Sequence, residues 1–110
     1  MSDHHHHNHK GEAHPHQLEP PHEVFHDPQA GEIVRAWITR GNLSIAIHSM
    51  AFGKAEVWGH MLANLAMHVA HDCAEQGQGT IAGNLEDIRK AFAADMGKLA
   101  AKHSPLAAKG

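Results

Sequence analysis

Between Ile33 and Cys73 the apolar pattern changes its period once, and that change limits the fold. Two runs of similar length, Ile33 to Thr39 and Asn42 to His48, are rich in β-branched and aromatic residues and flank Arg40-Gly41. After Phe52-Gly53, Val57, Met61, Leu65, Val69 and Cys73 recur every fourth residue. Side chains alternate across a strand and return to one face of a helix every three to four residues. The chain is therefore expected to be α+β, an antiparallel β-hairpin followed by helices. With Arg40 and Gly41 as the two loop residues, Thr39 faces Asn42, Ile38 faces Leu43, Ala36 faces Ile45 and Val34 faces Ile47. That register makes one face wholly apolar. The other carries Ile33, Arg35, Trp37 and Thr39 opposite His48, Ala46, Ser44 and Asn42, and a slip of one residue would mix the two.

In the first helix Trp58 and Leu62 widen the stripe, and an end is expected near Gly77. Ala63, Ala66, Met67 and Ala70 make most of its remaining circumference small or apolar, so it is expected to pack on more than one side. Gln76 to Gly83 reads as a loop, with Asn84 as the next N-cap and Glu86 and Asp87 in the first turn. Leu85, Ile88, Phe92, Met96 and Leu99 then mark a second amphipathic helix. Its lysines lie towards the end, matching the helix dipole, and Ser104-Pro105 should stop it.

Residues Met1 to Pro28 hold nine of the 14 histidines and four of the five prolines but few large apolar side chains. Too little can be buried there to offset the entropy of ordering. The expected organisation is a disordered His-rich tail and strap over 1–28, a ββαα domain over 29–103 and a disordered end over 104–110. Within the tail, Leu18 to Phe25 would lie along the domain as a strap kept extended by Pro20-Pro21. A folded part of about 75 residues with two free strand edges is a marginal core, so a homodimer is expected.

Charge and cysteine content exclude several classes. Five acids stand against Lys10 through Pro28, and eight basic against seven acidic residues follow, a balance that gives no excess for nucleic acid. The stretch poorest in charge, Met61 to Ala70, is half the span of a bilayer and contains Asn64 and His68, so no membrane crossing is expected. The start, Met1-Ser2-Asp3 and then histidines, lacks the form of a secretory signal, and Cys73 is the single cysteine. A cytoplasmic protein without disulfides is the expectation.

Chemistry is concentrated in the histidines. His4, His5, His6, His7, His9, His14 and His16 form a tail able to bind Zn(II), Ni(II), Co(II) or Cu(II) labilely through neutral imidazoles. Asn8 interrupts the run, histidines continue to His22 and His26, and no protease-site linker follows. These features argue against a simple purification tag and favour a native tail that buffers or delivers metal, the alternative being an incidental low-complexity segment. On the first helix His60, Asn64, His68 and Asp72 are spaced by four, with His71 one turn from His68. His60, His68, His71 and Asp72 are thus an alternative metal site, although the Glu base of a catalytic His-Glu-x-x-His pattern is missing; a plain polar stripe accounts for the same spacing. Ser44, Ser49 and Cys73 lack the signature of a nucleophile, and Gly77-Gln78-Gly79 follows no strand and so is no phosphate loop. Trp37 and Trp58 are the candidates for an interface, against ordinary burial.

Gln17-Leu18-Glu19-Pro20-Pro21, Asp27-Pro28-Gln29-Ala30, Val34-Arg35-Ala36-Trp37, Trp58-Gly59 and Leu65-Ala66-Met67-His68-Val69-Ala70 resemble the bacterial family called domain of unknown function 5076. The resemblance covers well over half the chain and fades in the second helix; the His-rich start departs from it. It implies a small cytoplasmic protein and brings no catalytic residues. The combined expectation is a non-enzymatic binding or interaction protein, a homodimer with a metal-binding tail; the alternative is a small metal-dependent enzyme or sensor sited on the first helix.

Overall fold

The structure, a computed structural model, describes residues 13–104. It divides into two units, Met1–Ser49 and Met50–Gly110. In the first unit, β1 (Val34–Thr39) and β2 (Asn42–Ile47) pair antiparallel in the expected register, from Val34 opposite Ile47 to Thr39 opposite Asn42. The ladder is extended by a bond from the His48 amide to the Ile33 carbonyl, 2.8 Å. The turn is tight because Arg40 and Gly41 both take positive φ, 54° and 79°, the geometry whose twist matches that of paired strands. Thr39 and Ser44 hydroxyls meet across the strands, and Arg35 forms a two-toothed ion pair with Glu32 at 2.8 and 3.0 Å.

Before the hairpin, the strap expected to stay extended over Leu18 to Phe25 does so only as far as Pro21. His22–His26 then form one turn of 3-10 helix, closed by the Val24 amide on the Pro21 carbonyl at 3.0 Å. Proline at the entry is compatible with this geometry, since its missing N–H is not called upon there. Asp27 next accepts the Gln29 amide at 2.8 Å, which leads the chain out of the strap towards β1. Met1 to Glu12, with His4, His5, His6, His7 and His9, lie outside the described residues, as does the end after Ser104.

The second unit is a helical hairpin, α1 (Ala55–Glu75) and α2 (Ile81–Lys102). α1 ends where expected, with Gly77 at φ 89°. α2 starts earlier than expected: Thr80 is the N-cap, its hydroxyl accepting the Gly83 amide at 3.0 Å. Glu86 and Asp87 therefore fall beyond the first turn. Asn84, expected as the cap, instead donates its amide to the carbonyls of Ala70, 3.1 Å, and Gln78, 2.8 Å, tying α2 to α1 and to the loop. On the α1 side the seam is made of small residues. Ala70 is fully buried, Ala66, Cys73 and Ala74 are half-buried, and Asn84, Leu85 and Ile88 are their counterparts on α2. Of the four-spaced stripe, Val57, Met61 and Cys73 are half-buried, while Leu65 and Val69 are about half-exposed, because the fully buried position is the small Ala70, where the two helices come close.

Candidate functional site

Three groups of side chains could carry function. The first is the strap. His14 stands edge-on to Trp37, ring centres 4.9 Å apart, and its Nδ1 accepts the His16 amide at 3.0 Å. Trp37 is thereby half-covered by the strap. Strap and β1 enclose an open cleft of about 760 Å³ lined in part by His16, Pro20, Pro21, Arg35 and Trp37. Of the histidines expected to hold metal in the tail, His14 and His16 are the described ones, and each is engaged with the other. Further along, His22 and His26 bring their Nε2 atoms to 2.9 Å, rings 4.5 Å apart. In sequence His22 and His26 are only the last histidines of the tail; their closeness depends on the 3-10 turn, which the sequence did not reveal.

The second group lies on α1. Of His60, His68, His71 and Asp72, the structure joins His71 to Asp72 and adds Glu75, which spacing had not singled out. Their ligand atoms lie within 4.8 Å of one another, and this is the one such cluster of three among the described residues. His60 and His68 stand outside it. All three members are exposed. His71 turns Nδ1 towards Asp72 at 3.6 Å and Nε2 towards Glu75 at 3.8 Å. The carboxylates thus flank opposite ring nitrogens, an arrangement suited to an ion pair with an imidazolium. Asn64 donates to the His60 carbonyl at 3.0 Å and so caps nothing beyond its own helix. Trp58, half-buried, stands edge-on to Phe52 at 4.9 Å.

The third group is apolar surface. The hairpin face bearing Ile38, Leu43, Ile45 and Ile47 is open, with Ile38 72% and Leu43 62% exposed. On the helices Leu65, Met67, Phe92, Met96 and Leu99 are about half-exposed. Among the described residues no helix is long and apolar enough to cross a membrane. Large apolar side chains left open in rows mark surfaces that bind.

Comparison with known proteins agrees with the architecture. A search of curated proteins found no match. A solved structure described as a "putative pyruvate dehydrogenase from the photosynthetic bacterium Rhodopseudomonas palustrus CGA009" is similar, with 34% identity and a TM-score of 0.62 over 77% of this chain and 86% of that one. The family model described as "Domain of unknown function (DUF5076)" matches residues 17–98, from the strap through most of α2. The match leaves out the start of the His-rich tail. On this evidence the chain belongs to the DUF5076 family.

Proposed function

We propose that the protein is a cytoplasmic bacterial binding and interaction protein that acts as a homodimer, with an N-terminal His-rich segment that chelates transition metals. The observation that carries this reading is the open apolar surface on both units. An isolated two-stranded hairpin is marginal in water, and here its apolar face is uncovered. Burying a Leu, Ile or Phe side chain is worth about 1.5–3 kcal/mol, so even half of that at several residues outweighs a modest association cost. A second copy supplies the same apolar faces, and a twofold contact lets each cover the other. The dehydrogenase wording belongs to the similar protein; what this reading takes from it is the shared fold.

The test is the concentration dependence of thermal unfolding. A dimer melts at higher temperature as protein concentration rises. The wild-type chain is expected to do so, and Leu65→Asp or Ile45→Asp to lower the melting temperature at a given concentration. A concentration-independent melting temperature would refute the reading. The cluster His71, Asp72 and Glu75 favours a second reading, a metal-dependent enzyme or sensor on α1. It requires one ion per chain that is lost on His71→Ala and unaffected by changes in the tail.

A further inference from the structure

We infer that His22 and His26 form a two-imidazole site for a divalent transition cation, zinc or one of its neighbours, on the strap. The inference rests on the proposed metal chelation by the His-rich segment and gives it a definite location. Four observations support it. The two Nε2 atoms are 2.9 Å apart, and the rings lean together at 4.5 Å between centres, tilted by 62°. Both residues are exposed, so an ion reaches them from solvent without opening the fold. The backbone beneath is held at each end. Pro21 closes the turn through the Val24 amide at 3.0 Å, and Asp27 accepts the Gln29 and Ala30 amides, on its carboxylate at 2.8 Å and its carbonyl at 3.0 Å. Finally, among the described residues no carboxylate joins the pair in a cluster of three, and a purely imidazole donor set selects Zn(II), Ni(II), Co(II) or Cu(II) over oxygen-seeking Mg(II) and Ca(II).

The geometry is close to that of a chelate. Two nitrogens on one tetrahedral zinc, each bonded at about 2.0–2.1 Å, lie about 3.3 Å apart. The nitrogens need to part by only a few tenths of an ångström, with the rings turning so that both lone pairs point at the ion. In the free protein one Nε2–H donates to the other Nε2. On binding, that proton moves through water to the same ring's Nδ1, and both Nε2 lone pairs face the ion. Two neutral imidazoles supply the donor atoms, and water completes the coordination. His14 is a poorer candidate, because its Nδ1 already accepts the His16 amide and its ring lies against Trp37.

The experiment is calorimetric titration of zinc chloride into four full-length chains: wild type; a chain with His4, His5, His6, His7 and His9 all changed to Asn; His22→Gln/His26→Gln; and the two sets combined. The His4-to-His9 chain is expected to keep one zinc per chain, with affinity at least tenfold weaker when His22→Gln/His26→Gln is added. Circular dichroism should be unchanged, since both side chains are exposed. Unaltered binding on adding His22→Gln/His26→Gln would overturn the site. Zinc bound by wild type but not by the His4-to-His9 chain would also overturn it while leaving a chelating tail. The absence of zinc binding by wild type would remove both.

Discussion

Arg40 occupies a backbone conformation that few side chains other than Gly and Asn accept, φ 54° in a two-residue turn. The left-handed region costs a branched-chain-free L-residue about 1–2 kcal/mol, and Asn recovers part of that by local hydrogen bonding. Arg40→Asn should therefore raise stability by about 0.5–1 kcal/mol in denaturant unfolding. On α2, the Arg89 guanidinium binds both Glu86 oxygens, at 2.6 and 2.9 Å, and this hydrogen bonding holds the Glu86 carboxyl below its ordinary value. A carboxylate with a lowered folded pKa stabilises the fold above its unfolded pKa, and loses that contribution as pH falls through the folded value. An NMR titration should find Glu86 below the usual glutamate range, and Arg89→Ala should return it there. The pair is solvent-exposed, so its effect on melting is small. At this scale the turn residues were legible, because they depend on near neighbours in sequence, whereas the Glu86–Arg89 pair was not singled out. The meeting of His22 and His26 was not legible either, since it follows from one 3-10 turn after two prolines.

The helical hairpin depends on a glycine and an asparagine. Gly79 has φ 66°, and a Cβ placed there would lie 2.5 Å from the Asn84 Oδ1. Gly79→Ala therefore combines backbone strain with a clash and should cost about 1–3 kcal/mol. Asn84→Ala loses two hydrogen bonds to carbonyls and should cost about 1–2 kcal/mol. Since Asn84→Ala also removes the clashing oxygen, the double variant should lose less than the sum of the singles, a coupling that a double-mutant cycle reads directly. Strand register was legible because only one register separates the apolar face from the mixed one. The start of α2 was not, because Thr80 and Asn84 are both good N-caps and only the tertiary bond from Asn84 to Ala70 decides between them. The helix seam was legible only in part: Cys73 of the four-spaced stripe lies in it, but that Ala70 is its fully buried position was hidden, because apolar residues surround α1.

For the molecule as a whole, what stands out is how little is buried: Ala70 is the one buried core residue among those described, while apolar rows remain open on the hairpin and on both helices. The sequence indicated this surplus through the all-round apolar α1 and the apolar hairpin face. It could not show which rows stay open, since that depends on which faces the two helices use against each other. We propose that a second copy of the chain covers them. Sedimentation equilibrium of the full chain at micromolar concentration decides between one copy and two. The expected mass is twice the 12.0 kDa of one chain. A mass of one chain across the concentration range, with the protein folded and melting cooperatively, would contradict it.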